Sequence, residues 1–505
     1  MNITKSVLGC MLLGVLEACT PSKEERAAEL YTVHCASCHI APRIDDLPKH
    51  LWESSVLPEM AARMGIKDSA YNPYEGFSFR EQEAMMKTGI YTRQPTLSKE
   101  DWLVLRDYIL TMAPESLETS TGEKIKKGVS QFRPVPINID STKGTLITFL
   151  AVDSTEHSIS LGDLAGNKLK YLADENKVKP VGNFSTAITA YSERREEVFI
   201  TTVGNLNPSE IANGRISRMI NGEIEQIATN LHRPVYTEIS DLNGDGVMEL
   251  LVSEFGNLTG RLSLWSRKKR LSYEEEVLLN QPGVIRTKIR DMNSDDKADI
   301  MVMTTQGSEG ITILYQMNDM EFRAEQVLRF SPIYGSSWFE LVDYNGDGFD
   351  DIITVNGDNA DNTYIQKPYH GLRVYLNDGR NIFEERYFYP LNGATRVVAN
   401  DFDQDGDIDF GVVASFPDYE QCPECSFVYL ENTDSKNFVF KSHTLETSDL
   451  GRWLLLASGD IDNDGDEDMV LSSFTYSFTP VPESLLSKWQ NSNTDILILE
   501  NNLLR

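Results

Sequence analysis

The sequence of 505 residues predicts two units of different class, a small all-α domain at the front and a longer all-β domain of repeats behind it. Three observations carry this reading. Residues 19–114 hold apolar residues at helical spacing around a close pair of cysteines. From residue 134 onward, short acidic loops recur about every 55 residues, each followed by a β-prone run. Residues 115–133 between them are polar and lack apolar periodicity, so they are expected to be a linker.

With 40% hydrophobic and 25% charged residues the chain can bury more than one core. Its formal charge of −30 excludes a phosphate backbone as partner, because each phosphate contact needs a cation, so no nucleic acid is expected.

Lys5 precedes an apolar stretch from Val7 to Leu16, which as a helix would rise only about 15 Å, half a hydrocarbon core. Residues 1–18 therefore form an export leader, not a membrane span. Leu16-Glu17-Ala18-Cys19 resembles a bacterial lipobox, with Glu17 departing from the usual small or apolar residue. The resemblance implies lipidation of Cys19 and a membrane anchor. Lys23-Glu24-Glu25 is similar to the export signal of Bacteroidetes-type lipoproteins, which implies an outer-membrane location facing the periplasm or the cell surface.

Cys35-Ala36-Ser37-Cys38-His39 has the C-x-x-C-H spacing of covalent haem c attachment. Two thiols on one turn reach both vinyl groups of a porphyrin, and the adjoining imidazole is aimed at the iron. Zinc would need two more ligands that nearby sequence does not supply. Ser22 with Glu25 forms a capping box ahead of this turn. Ser98 with Asp101 opens a second helix, in which Trp102, Leu105, Ile109 and Met112 recur at helical spacing. The whole resembles a class I cytochrome c, whose first and last helices cross beside the haem. That resemblance implies a sixth ligand. Met60 is the first candidate and Met64, one turn later, the alternative, while Met85, Met86 and His50 remain open.

The five acidic loops place oxygen side chains at positions 1, 3, 5 and 9. They are Asp241, Asn243, Asp245 and Glu249, then Asp291, Asn293, Asp295 and Asp299, then Asp343, Asn345, Asp347 and Asp351. Asp401, Asp403, Asp405 and Asp409 make the fourth, and Asp460, Asp462, Asp464 and Asp468 the fifth. Such a donor set is a calcium loop, so about five calcium ions are expected. An EF-hand would need Glu at position 12, which here is Val252, Val302, Thr354, Val412 and Leu471. The loops thus join strands, not helices. Two carboxylates about 4 Å apart repel by ~4 kcal/mol at an effective dielectric of 20, so the clusters call for a cation. The second loop is the least regular, with Asp296 in place of the turn glycine and Lys297 bringing an opposing charge.

This pattern resembles the FG-GAP or VCBS repeat, the blade of integrin-type β-propellers. Two further strand-rich units without acidic loops, around residues 146–170 and 186–220, bring the number of blades expected to seven over residues 134–505. In a four-stranded blade the calcium loops share one face. The last three blades carry insertions on the opposite face, and these hold Tyr364, Tyr369, His370, Phe416, Tyr419, Phe474, Tyr476, Phe478 and Trp489. The insertions are expected to meet a glycan or protein ligand, or to pack on one another or on the cytochrome. With Cys10 in the leader, Cys19 lipidated, and Cys35 and Cys38 on haem, Cys422 and Cys425 have only each other, as a loop-closing disulfide or, alternatively, a redox-active pair.

The function expected is single-electron transfer by a lipid-anchored haem protein whose propeller positions a redox partner protein. Two alternatives stand beside it. One is an oxidoreductase whose propeller passes substrate electrons to the haem; the other is an adhesion or glycan-binding lipoprotein. No triad or His-Glu-x-x-His motif appears, so no catalytic residue is assigned.

Overall fold

The computed structural model describes residues 22–67, 71–118, 125–140, 143–194, 196–269, 272–318, 320–358, 364–476, 479–492 and 494–503. The leader, Cys19 and Phe478 lie outside them.

The first helix, Lys23–Leu30, starts at the capping box. Ser22 Oγ accepts from the Glu25 amide at 3.1 Å, and the Glu25 carboxylate accepts from the Ser22 amide at 2.7 Å. Its continuation over Tyr31–Cys35 widens into a π turn, which leads into the cysteine pair. The last helix, Lys99–Met112, is capped by Ser98 and crosses the first, with Arg26 paired to Asp101. Trp52, Leu57, Ala61, Trp102, Leu105 and Ile109 fill the core between them. Met112 departs from its expected place on the apolar face and is 55% exposed, because the helix ends at that residue and the chain turns extended at Ala113.

The rest of the chain is a seven-bladed β-propeller. Six antiparallel blades follow in chain order, spanning 147–183, 188–231, 234–279, 284–329, 336–390 and 394–444. The seventh combines Trp453–Gly459, Asp468–Ser473 and Ile496–Asn501 with Phe132–Ile137 from the other end of the chain. First strands of successive blades touch one another all the way round, so they are innermost and the ring is closed. In the five blades with acidic loops the second strand is buried at every residue, because neighbouring blades cover both its faces.

The all-β unit begins at Phe132, ahead of the residue 134 expected, and Lys126–Lys127 already adds a short parallel edge beside Val439–Thr444. Pro134 and Pro136 obscure this strand in the sequence. An outermost strand tolerates them because only one of its edges must donate.

The helical region rests on the propeller face opposite the acidic loops. Ile333 completes the helical core, with Tyr334, Ile365 and Tyr369 packed against it. Tyr369 Oη donates to the Asp46 carbonyl at 3.1 Å, and its ring stacks on Tyr334 with centroids 5.3 Å apart. Glu81, 7% exposed, accepts from Ser209 Oγ at 3.0 Å and from the Glu210 amide.

Candidate metal loops and the cysteine–histidine turn

All five acidic loops share one backbone path. Position 4 is left-handed in each (Gly244, Ser294, Gly346, Gln404, Asn463), and so is position 6 (Gly246, Asp296, Gly348, Gly406, Gly465). At position 1 the carboxylate Oδ2 accepts the position-6 amide at 2.8–3.3 Å, and at position 5 Oδ1 accepts the position-7 amide at 2.7–3.3 Å. These bonds curl the acids round a common centre.

The position-9 acids do something further. Asp299, Asp351, Asp409 and Asp468 are fully buried, and Glu249 nearly so. One oxygen of each accepts the amide of position 2 at 2.9–3.2 Å. In the four aspartates the other oxygen accepts an amide of the third strand, from Gln316, Asn377, Asn432 or Asn501, at 2.7–2.8 Å. Position 9 therefore bolts the loop to its blade. Sequence reading missed these third-strand partners, although the recurring Asn377, Asn432 and Asn501 were the signal for them. Each returns its amide Nδ2 to the carbonyl before the acid at 3.0–3.2 Å.

Carboxylate oxygens of Asp401, Asp403 and Asp405 lie within 4.8 Å of one another, and so do those of Asp460, Asp462 and Asp464. In the first loop Asp241 Oδ1 is buried with no hydrogen-bond partner. Burial, and then the Asp405 charge, push the Asp403 carboxyl up. Burial likewise raises Asp351 to about 6 and Asp409 and Asp468 to about 7. An oxygen-only set that carries this strain fits a hard dication. The second loop keeps the same fold: Asp296 takes the left-handed position at φ 64°, and Lys297 Nζ lies 3.2 Å from Asp295.

Cys35, Cys38 and His39 stand where the first helix ends. Cys35 packs against the helical core and Cys38 is exposed, both as free thiols. His39 Nδ1 sits 2.8 Å from the Ile40 carbonyl, which fixes the proton there and leaves Nε2 as the free lone pair. Met60 and Met64 border the same apolar cluster as Cys35, whereas Met85 is buried, Met86 is half exposed and His50 is exposed. Val33, Ile40, Phe79 and Met112 are also exposed in the helical region. The donor set of the turn, two free thiols and an adjoining imidazole, fits haem c.

Cys422 and Cys425 form a disulfide with Cα atoms 5.3 Å apart. The insertion aromatics mostly pack inward: Phe416, Tyr419, Phe474 and Trp489 are buried, Tyr419 lies 5.6 Å from Trp489, and Tyr369 joins the helical core. Tyr476 stays 52% exposed. It borders a cleft of about 520 Å³ between helical region and propeller, lined also by Phe77, Glu81, Asn205, Asn207 and Phe474. Among the described residues no helix is long and apolar enough to cross a membrane.

Residues 291–354, which include the second and third acidic loops, match the FG-GAP-like repeat family. No curated protein matches the chain. Among solved structures it is similar to the N-terminal domain of Nup159, at 11% identity and a TM-score of 0.40 over 76% of this chain and 99% of that one. It is also similar to the Neurospora crassa Pan2 WD40 domain, at 13% identity and a TM-score of 0.42 over 75% of this chain and 98% of that one. The chain carries an FG-GAP-like repeat within a seven-bladed β-propeller.

Proposed function

We propose that this chain is an exported haem protein that transfers single electrons, and that its calcium-loaded propeller binds or positions the redox partner. The Cys35–His39 turn is the observation that carries the reading. Haem c, when bound, supplies an iron that alternates between ferrous and ferric states. Cys35 and Cys38 would hold it through thioethers, His39 would present Nε2 with its ring oriented by the Ile40 carbonyl, and Met60, or else Met64, would complete the site. The five acidic loops would each hold a calcium ion that neutralises carboxylates already drawn together. The cleft beside Tyr476 is where a partner would meet both units at once. Lipidation of Cys19 would tether the chain to the outer membrane.

Spectra of the full chain, purified from a host that attaches haem c, test this reading. One haem per chain with a sharp reduced α-band is expected, lost in Cys35→Ser, together with about five calcium ions by elemental analysis. A colourless wild-type protein ends the electron-transfer reading. Labelled palmitate incorporated in wild type and absent from Cys19→Ala checks the anchor. The cleft favours one second reading, an oxidoreductase whose substrate sits there; reduction of the ferric protein by added sugars or alcohols would be its sign.

A further inference from the structure

The cleft between the helical region and the propeller draws its walls from distant stretches of chain. Phe77 and Glu81 come from the helical region, Leu164 from the first blade, residues 204–209 from the second, and Phe474 and Tyr476 from the insertion of the seventh. Its volume of about 520 Å³ lies within the roughly 300–1,000 Å³ of small-ligand clefts, which often form where two domains meet. Each unit leaves one aromatic ring at the surface here: Phe77 is 39% exposed and Tyr476 52%. The Tyr476 ring stands edge-on to the buried Phe474, with centroids 6.5 Å apart, and Arg452 donates to the Tyr476 carbonyl, so ring and backbone are both held in place.

The polar part of the lining is ordered in advance. Asn205 Nδ2 donates to Ser209 Oγ at 3.1 Å, Asn205 Oδ1 accepts from Asn213 Nδ2 at 3.0 Å, and Ser209 Oγ in turn donates to Glu81 at 3.0 Å. Asn205 thereby keeps one amide proton and one lone pair for a ligand. Asn207 is exposed, and its side-chain amide makes no hydrogen bond among the described residues.

These features select among ligands. Among the described residues no Lys, Arg or His lines the cleft, and Glu81, its one carboxylate, is engaged by Ser209 and the Glu210 amide, so neither an anion nor a cation finds a counter-charge. A purely apolar molecule would leave the amides unpaired. A neutral molecule with hydroxyls round its edge and C–H groups on its face satisfies both, laying the face on a ring and turning the edge to the amides. We infer that the cleft binds a short neutral saccharide, with Tyr476 and Phe77 as stacking platforms and Asn205 and Asn207 meeting its hydroxyls. This names the ligand class for the reading of the cleft as a substrate seat and rests on that reading, not on haem.

Calorimetric titration of the calcium-loaded full chain with maltose, cellobiose, mannobiose, xylobiose and chitobiose tests it. At least one is expected to bind at one site per chain, about tenfold or more weakly in Tyr476→Ala and in Phe77→Ala, and within about twofold of wild type in Tyr476→Phe, which keeps the ring. Asn207→Ala should weaken binding about threefold. Both rings lie on the surface, so their removal leaves the cores intact. A bound saccharide touches both units and should also slow proteolytic release of the helical region. No binding by any of the five, unchanged affinity in both alanine variants, or release at the same rate with and without saccharide overturns the proposal. Haem content is read from the same samples by absorbance: a colourless chain that still binds ends only the electron-transfer reading, and a red chain that binds none ends only this one.

Discussion

The propeller and the helical region solve the burial problem differently. Each blade of the propeller is covered by its neighbours, so the second strands of the five acidic-loop blades expose nothing, and even the acids that terminate the loops find backbone donors. In the helical region the core is a single small cluster, and Val33, Ile40, Phe79, Met86 and Met112 stay on the surface. A closed ring satisfies its apolar surface by repetition. A domain of under a hundred residues needs something else to bury against, which here is partly the propeller, through Ile333 and Tyr369, and partly the proposed haem.

Five experiments would break or sharpen that contrast. Chelation of calcium should have the largest effect, because a loop held at 100 times its dissociation constant contributes about 2.7 kcal/mol and five would empty together. The calorimetric transition of the propeller should fall steeply in EGTA and recover on adding calcium; an unchanged transition would mean that the blades need no metal. Next is the pH dependence of the chelated form. Burial raises Asp409 and Asp468 to about 7 in the folded chain, above the unfolded value near 3.9. Their contribution to stability is therefore complete below about pH 4 and is lost as pH climbs through 7, and denaturant midpoints should fall over that window and flatten once calcium is added. Third, Cys35→Ser should abolish covalent haem and loosen the helical core, seen as exposure of Trp52 and Trp102, while the propeller transition stays put. Glu81→Ala comes fourth. It leaves the Ser209 hydroxyl proton and the Glu210 amide without their acceptor at a cost of about 1–3 kcal/mol, and limited proteolysis should release the helical region faster. Arg26→Ala removes an ion pair whose arginine is 56% exposed and should leave both transitions where they were.

Much of this architecture was legible from local residues. Ser22 with Glu25 and Ser98 with Asp101 mark helix starts because a cap needs only a side chain and an amide three residues away. The acidic loops announce themselves because the spacing of their acids is fixed by a nine-residue backbone path. Asp296 shows what local reading leaves open about backbone path. The second loop lacks the glycine of the others at this position, and the aspartate there adopts the same left-handed conformation and closes the loop. The insertion aromatics show a second limit, since a run of tyrosines and phenylalanines reads the same whether it meets a ligand or, as Tyr419 and Trp489 do, a ring of the neighbouring insertion.

The sequence by itself determined the strands after each acidic loop and the helix caps, because each depends on residues within a few positions of one another. Only the tertiary structure decided that Phe132–Ile137 closes the ring against Ile496–Asn501, and that Asn377, Asn432 and Asn501 hold the loop acids. Those pairings join residues far apart along the chain, and a contact of that kind follows from how blades stack, which no local pattern records.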